Sequence, residues 1–317
     1  MIKVIIYTLL LSFFTLFGEV NKGKPVYIIH EKDLFPEGIT YSYSTNSLYI
    51  GSIKKNKIIQ IDMRSGKIND FVPPKIINMG VLGLIVDDHN KLLWACANIN
   101  RNGKRRSAIF KFDLFSGKLL KKFNNKETAA ATFNDLAIDR EGNVYFTNTD
   151  GNQVFRINMS DDSMSVFFAS DQIINPNGIT ISPDNKYLYI ASQPRGIRIL
   201  DVKNKKIIND LSLSINTLGI DGLKYYKHSL IGIQNGLEGD NPIKINRYTL
   251  SPDNKRIIAT GTIDENNPEF DIPTTFAAVG DRIYCIADSQ LGNLNDQNYE
   301  IINPKLLKDI IIISYKL

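Results

Sequence analysis

The sequence predicts an all-β protein, a six-bladed β-propeller with four antiparallel strands in each blade. Two observations carry this prediction: a strand-turn-strand unit that recurs along the chain, and a period of about 45 residues. Equivalent anchor positions, which are 43 to 54 residues apart, begin the six repeats: Glu37, Leu82, Asn134, Asn177, Asp221 and Thr275. Four short strands per repeat at this period are typical of a propeller blade.

Each repeat opens with a short apolar strand and a polar turn, such as STNS, DREGN or SPDNK. Asn, Asp and Gly are the residues that hairpin turns favour. A second strand follows, rich in β-branched and aromatic side chains, as in SLYIGS and YLYIAS. Third strands alternate, as in QVFRINM, and fourth strands are weaker, as in SMSVFFA. The hairpin is therefore expected six times.

The chain ends supply the closure of the ring. The sixth repeat stops at its third strand with Leu317, while residues 25–30 precede the first repeat and have the length and character of the missing strand. Pairing them would remove the exposed edge of an open array. We therefore expect residues 21–317 to form one closed propeller domain; a solenoid is the alternative for repeats of this length.

Residues 1–20 place Lys3 before an apolar run over residues 4–17 and then Gly18, the order of a cleaved secretory signal peptide. The run is short for a membrane span, which needs roughly 20 residues. We expect a secreted or periplasmic monomer that is not held at a membrane; an uncleaved anchor is the alternative. The formal charge of +5 comes from scattered Lys and Arg, so no nucleic-acid partner is expected. Cys96 and Cys285 lie in apolar strands and are expected to be buried free thiols.

The first strand of every propeller blade lines the axis, so residues at its start form a ring on one face. Four of the six ring positions carry oxygen: Glu37, Asn134, Asn177 and Asp221. Two carboxylates and two amides gathered from separate repeats suit a hard cation such as calcium. The alternative is that these side chains only solvate the channel mouth or satisfy turn backbone groups.

The ends of the second strands return to the same face as the ring. We therefore predict that substrate contacts come from these ends and from ring positions: Asn98, Asn148, Gln234, Asn235, Asn134 and Thr275. The longest loops on this face belong to blades two, five and six, which makes them candidates for substrate selection. His30, His89 and His228 are expected in an outer strand and in turns on the opposite face, so a histidine mechanism is not expected.

Several of these segments resemble the gluconolactonase/regucalcin (SMP-30) family: PEG in blade one, ND in blade three, PNG with SPDNKYLY in blade four and DG in blade five. Paraoxonase and diisopropylfluorophosphatase are related hydrolases. The resemblance implies a six-bladed propeller with a divalent cation on its axis. It implies ligation by Glu37, Asn177 and Asp221, with Asn134 either a fourth ligand or a substrate contact.

The leading functional hypothesis is metal-dependent hydrolysis of a lactone or related cyclic ester, a substrate class that comes from the resemblance. Asp221 would activate water while Glu37 stays a ligand. Calcium is preferred because all the donors are oxygen atoms; magnesium, manganese and zinc are alternatives. Two other functions remain open: a calcium-stabilised binding propeller for a glycan, peptide or protein, and a metal-free interaction propeller of the NHL type.

Overall fold

The computed structural model describes residues 22–101, 104–125, 131–209, 215–235 and 242–317. It contains six four-stranded antiparallel sheets, which confirms the predicted six-bladed β-propeller. The predicted signal peptide lies outside the described residues. Within the described part of the chain, no helix is both long and apolar enough to cross a bilayer.

The strands follow chain order within each blade. Before the first blade comes β1 (Lys24–Ile29); blades one and two contain β2 (Pro36–Ser42), β3 (Ser47–Ser52), β4 (Ile58–Asp62), β5 (Ile68–Val72), β6 (Gly80–Asp87), β7 (Leu92–Arg101), β8 (Lys104–Asp113) and β9 (Leu119–Asn124). Blades three and four contain β10 (Phe133–Ile138), β11 (Val144–Asn148), β12 (Gln153–Ile157), β13 (Met164–Ala169), β14 (Pro176–Ile181), β15 (Tyr187–Ser192), β16 (Gly196–Asp201) and β17 (Lys206–Ile207). Blades five and six contain β18 (Ile220–Tyr226), β19 (Ser229–Gln234), β20 (Lys244–Leu250), β21 (Ile257–Glu265), β22 (Phe276–Val279), β23 (Arg282–Ile286) and β24 (Ile310–Lys316).

Helical structure in the described ranges is confined to single turns. One α-helical turn, α1 (Pro74–Ile77), connects blades one and two. Three 3₁₀ turns cover Asp171–Ile173, Leu291–Asn293 and Pro304–Leu306. The architecture therefore depends on strand pairing and on packing between sheets.

The ring closes through its sixth blade, as the sequence predicts. Strand β1 pairs antiparallel with β24, with Ile29 opposite Ile310 and Lys24 opposite Ser314. The closing strand starts and ends one residue earlier than the predicted range 25–30. The innermost strands contact one another in sequence, and β22 of blade six contacts β2 of blade one. Because N-terminal and C-terminal strands share one sheet, the closure ties the two ends of the described chain together.

Apolar side chains from facing sheets form the core between neighbouring blades. Between blades three and four, for example, Tyr145 and Val154 share a buried cluster with Leu188. Cys96 and Cys285 are buried free thiols in different clusters, as expected. Burial is the main cause that raises the pKa of both thiols well above the ordinary value, which disfavours the reactive thiolate.

Glycines next to the ring positions allow the inner strands to approach closely. A Cβ atom on Gly38 would lie 2.1 Å from the Leu82 carbonyl oxygen of the next blade, and one on Gly83 would lie 2.2 Å from the Asn134 carbonyl oxygen. A Cβ atom on Gly178 would lie 2.3 Å from the Asp221 carbonyl oxygen. Real Cβ atoms do not sit this close to backbone atoms, so these glycines set the diameter of the ring.

Replacing Gly178 with Ala is therefore expected to destabilise the protein by about 1–3 kcal/mol, because the added methyl group pushes against blade-five backbone. Thermal unfolding should show a melting temperature lower by several degrees, at roughly 2–4 °C per kcal/mol. Gly261→Ala is the matched control, since its Cβ would meet nothing within 4 Å in an outer strand. Equal melting temperatures for the two variants would contradict the assigned role of Gly178.

Candidate functional site

A register irregularity presents the ring side chains to the axis. In five blades the pairing of the first two strands shifts across the ring position, for instance between Pro36 and Ile39 in blade one. A bulge leaves residues out of the ladder and re-aims their side chains. In blade six, β22 begins one residue after Thr275. The local irregularity thus frees the ring residues from strand pairing.

The ring residues meet at one small cavity on the propeller axis. Its volume is about 10 Å³, which is room for about one water-sized particle. The lining brings together the predicted ring residues and three residues next to ring positions: Glu37, Gly83, Asn134, Asp135, Asn177, Asp221, Gly222 and Thr275. Leu82, the remaining ring position, is 8% exposed and belongs to an apolar cluster.

Glu37 is a buried carboxylate that makes no direct contact with a hydrogen-bond donor or a cation among the described residues. Its side chain has no hydrogen bond or ion pair with the described residues, although the residue is only 8% exposed. Its backbone oxygen accepts a 2.8 Å hydrogen bond from the Thr274 hydroxyl, which holds the strand start in place. Burial, together with the negative charges of Asp221 and Asp135, raises the pKa of Glu37 well above its usual range.

Asp221 lies in the same cavity but is hydrogen-bonded. The Asn235 amide donates to Asp221 Oδ2 at 2.9 Å. Burial raises the pKa of Asp221 to about 7, the hydrogen bond from Asn235 opposes that shift, Asp135 adds to it, and a hydrogen bond from Asn177 opposes it again. Two acidic groups with raised pKa values in one cavity disfavour the doubly charged state until a cation balances them.

Two threonines at the end of β11 contact the ring asparagines, one through a side-chain amide and one through a backbone oxygen. Asn134 donates its amide N–H to Thr149 Oγ1 at 3.3 Å, so its amide oxygen remains as an acceptor. The Thr147 hydroxyl donates to the backbone oxygen of Asn177 at 2.7 Å. Thr275 Oγ1 is buried and has no hydrogen-bond partner. The cavity thus contains acceptor atoms that the described residues leave unsatisfied.

Two residues at the site were missed by the sequence interpretation. Asp135 lines the cavity, and Lys224 forms an ion pair with it, with Nζ 2.9 Å from Asp135 Oδ2. The signals were present in the sequence. Asp135 occupies the place where four other repeats have glycine, and Lys224 interrupts an apolar inner strand.

Three predicted substrate contacts lie away from the cavity lining. The Asn98 amide bridges to the backbone of Phe133 in blade three, through both its N–H (2.8 Å) and its oxygen (3.0 Å). Asn148 accepts from the Thr132 backbone and donates to a neighbouring side chain. Gln234 donates to a backbone carbonyl at 2.7 Å and accepts from an asparagine at 2.7 Å. Their polar groups bind the protein itself. Asn235 and Thr275 remain at the site.

The loop between β23 and β24, residues 287–309, covers part of the channel mouth, and we term it the blade-six cap. Leu294 of the cap shares a cluster with Leu82 of the ring and Phe35 of blade one, and Tyr299 packs against that cluster. The cap reaches blade two, where the Asn100 amide donates to the Asp296 carbonyl at 3.2 Å. Blade six therefore shapes this side of the mouth.

Tyr299 of the cap packs beside the ring residue Leu82 and is near enough to Glu37 for that charge to act on its phenol. Burial and the charge of Glu37 both raise the pKa of Tyr299, and the positive charge of Arg105 opposes that shift. Arg105 and Asp150 form an ion pair of 3.2 Å on the rim between blades two and three. Tyr299 has a positive φ of 55°, a conformation that the surrounding contacts must maintain. The cap side of the mouth therefore combines apolar side chains with one phenol and one guanidinium.

The histidines take no part in the site. His30 is exposed and lies 2.8 Å from Asp309, while His89 and His228 are exposed in turns. Within the described ranges, no three His, Cys, Asp or Glu side chains form a group suited to a metal ion. The donor set that fits a cation is instead the pair Glu37 and Asp221 with the amide oxygens of the ring, in a cavity sized for one ion.

A family model described as the SMP-30/gluconolactonase/LRE-like region matches residues 35–218. The match covers more than half of the chain and includes the ring positions of the first four blades. The chain belongs to this family. Asp221, three residues beyond the match, continues the same ring in this SMP-30/gluconolactonase protein.

A curated relative is the lactonohydrolase oryL of Aspergillus oryzae (strain ATCC 42149 / RIB 40). It is 24% identical over 190 residues, which are 54% of this chain and 43% of that protein. The chain therefore matches less than half the length of this relative. The aligned sequence is similar to part of a protein named for lactone hydrolysis.

Solved structures share the fold over nearly the whole chain. A gluconolactonase from Xanthomonas campestris has 13% identity and a TM-score of 0.62, with 93% of this chain and 95% of that chain covered. The calcium-binding protein regucalcin from Agrobacterium tumefaciens str. C58 has 16% identity and a TM-score of 0.56, with 92% and 93% covered. At these identities the likeness establishes the fold alone.

Proposed function

We propose that this SMP-30/gluconolactonase family member is a divalent-cation-dependent hydrolase of lactones or related cyclic esters. The observation that carries the proposal is the unpartnered Glu37 carboxylate beside Asp221 in a cavity that has room for one ion. Membership of the family, and the similarity to a lactonohydrolase and a gluconolactonase, support the substrate class.

Glu37, Asn177 and Asp221 would hold the cation, with the Asn134 amide oxygen as a fourth ligand or a substrate contact. All four donors are oxygen atoms, which favours calcium and allows magnesium or manganese. Zinc is disfavoured because Cys and His do not line the cavity. The fold neighbour regucalcin is described as calcium-binding, which supports the preference. A bound divalent cation supplies Lewis-acid polarisation of an ester carbonyl.

Asp221 orients and deprotonates the attacking water. The Asn235 amide fixes Oδ2 at 2.9 Å, so the carboxylate has a defined orientation. Water adds to the lactone carbonyl carbon, the ring C–O bond breaks, and the proton taken by Asp221 passes to the leaving alkoxide oxygen. The product is the open hydroxy acid. Thr275 Oγ1, buried and without a partner, can donate to a substrate or water oxygen in the cavity.

The blade-six cap would contact the substrate. It places apolar side chains and Tyr299 beside Leu82, the apolar ring position of blade two. Arg105, on the rim between blades two and three, is 39% exposed at its side chain and can bind the carboxylate of a product. Because the cavity itself has room for little more than an ion, a lactone must bind above the ring, at the cap.

The direct test is lactone hydrolysis by the purified protein before and after treatment with EDTA. Activity on γ- and δ-lactones should disappear with chelation and return when Ca²⁺ is added. A release of protons follows each ring opening, so a pH-indicator assay measures turnover. Activity that survives complete removal of divalent ions would overturn the proposal.

One observation favours a second candidate, a calcium-stabilised binding propeller without turnover. The ring cavity has a volume of about 10 Å³, which is enough for an ion and too small for an organic substrate. In that case Ca²⁺ would raise the melting temperature by mass action, while a broad panel of lactones and esters would show no hydrolysis. A metal-free interaction propeller would show neither effect.

The proposal includes export. The order of Lys3, the apolar run over residues 4–17 and Gly18 supports a cleaved signal peptide. N-terminal sequencing of the protein recovered from its native compartment should find a start near residue 21.

A further inference from the structure

A largely buried ion pair links two non-adjacent blades beside the ring cavity. Lys224 of blade five reaches Asp135 of blade three, with Nζ 2.9 Å from Oδ2 and 3.2 Å from Oδ1. The two side chains are only 20% and 10% exposed. Asp135 also accepts a backbone N–H from Ile179 of blade four, at 3.2 Å. One carboxylate thus connects three blades.

This pair is not needed for the close packing of the inner strands. Four other blades achieve that packing with a glycine after the ring residue. Removing two charges from water is expensive, so a buried pair is a poor way to gain stability alone. The position of Asp135 on the cavity wall, and not in a blade interior, points to an effect on whatever the cavity binds.

The charges around the cavity can be counted. Three carboxylates line it, those of Glu37, Asp135 and Asp221. Lys224, with Nζ 2.9 Å from Asp135 Oδ2, adds one positive charge beside these carboxylates, and its charge lowers the pKa of Glu37. With all four groups ionised, the net charge is therefore −2, which matches a single divalent ion. Without the lysine it would be −3, and without Asp135 it would be −1.

We propose that Lys224 is a built-in counter-ion that sets the cavity charge at −2 and thereby selects a divalent over a trivalent cation. The inference rests on the proposed function in that it takes the ring cavity to be the cation site. Lys224 also holds both oxygens of Asp135, which keeps this carboxylate out of the ligand set. Lys224 is in this sense a positioning residue.

The test is a charge series in the full-length protein: wild type (−2), Asp135→Asn (−1), Lys224→Met (−3) and the double variant (−2). Isothermal titration calorimetry in a non-chelating buffer at a fixed neutral pH measures the affinity of each protein for Ca²⁺ and for La³⁺. Lys224→Met should raise the La³⁺ to Ca²⁺ affinity ratio by at least about tenfold, since one more negative charge acts more strongly on the trivalent ion. Asp135→Asn should lower that ratio, and the double variant should return to within about threefold of the wild type.

Either single variant tests the proposal by itself, because the two are expected to move the affinity ratio in opposite directions. The double variant controls for the loss of the ion pair. It removes both partners together, so no buried charge is left unpaired. Circular dichroism of each protein confirms folding before titration. Lys224→Arg, which retains the charge, should keep the wild-type ratio.

The outcomes separate this inference from the proposed function. A wild-type protein that binds neither ion would overturn both. If Ca²⁺ binds but the La³⁺ to Ca²⁺ affinity ratio is the same in all four proteins, this inference alone is overturned. If the ion pair has only a structural role, both single variants should lose cation binding, and the double variant should not regain the wild-type La³⁺ to Ca²⁺ affinity ratio. That result would also overturn this inference.

Discussion

Asp221→Asn is expected to lower kcat for lactone hydrolysis by about 10²–10⁴-fold, the contribution of a positioned general base. The amide is nearly the same size as the carboxylate but cannot accept a proton from water. Initial rates on a γ-lactone at saturating Ca²⁺ measure the effect, and single-turnover kinetics separate it from binding.

Asp253→Asn is the matched control, since it makes the same change in the same blade. Asp253 is exposed in the turn between β20 and β21, where it accepts from Ser251. Its kcat should equal that of the wild type. Full activity in Asp221→Asn with Ca²⁺ bound would contradict the assignment of Asp221 as the base.

Without a bound cation, the protein is expected to lose stability as the pH rises from about 4 to about 7. The pKa of Asp221 is raised from 3.8 to about 7 in the folded state, chiefly by burial. Between pH 3.8 and about pH 7, this carboxyl group binds more protons in the folded state than in the unfolded state. The free energy of unfolding therefore falls as the pH rises through this range, and this group causes no further change at higher pH. A shift of this size corresponds to at most about 4 kcal/mol.

The measurement is urea unfolding in EDTA, with the wild type compared with Asp221→Asn. The comparison isolates the site, because several turn carboxylates with lowered pKa values, such as Asp62 and Asp113, change stability in the opposite direction at low pH. Near pH 4 the two proteins should be similar, and at pH 8 the variant should be the more stable. A Ca²⁺ concentration of 100 times Kd should raise the free energy of unfolding of the wild type by about 2.7 kcal/mol. If the difference in free energy of unfolding between the two proteins does not grow with pH, burial does not raise the pKa of Asp221.

The two results together describe a conflict between stability and function. In the proposed mechanism, the ionised Asp221 carboxylate binds the cation and activates water, yet folding disfavours that ionised state when no cation is bound. Functional sites often carry such local destabilisation. Glu37, whose pKa is also raised by burial and by Asp221, belongs to the same conflict.

Much of the fold could be predicted because its signals are local. Each hairpin carries its own turn residues and alternating strands, so a period of about 45 residues identifies the blades one at a time. Ring closure followed from counting strands in the last repeat. The ring positions Glu37, Asn134, Asn177 and Asp221 could be identified because equivalent positions in repeats lie at equivalent heights on the axis.

The hydrogen bonds of the side chains at the second-strand ends could not be predicted from the repeat pattern. Asn98, Asn148 and Gln234 lie at the expected ends, yet their amides form hydrogen bonds within and between blades. Position along a strand predicts the face of the molecule. It does not predict whether a neighbouring backbone already uses the polar group, since that depends on packing between blades.

The sequence by itself determined the number of blades, the closing strand and the four oxygen-bearing ring residues, because each depends on periodicity within the chain. Only the tertiary structure decided that Lys224 pairs with Asp135 two blades away and that the blade-six cap packs against Leu82. Neither contact has a periodic signal. Partners on non-adjacent blades, and the path of a long loop, are fixed by the diameter of the closed ring and by the side chains that fill it.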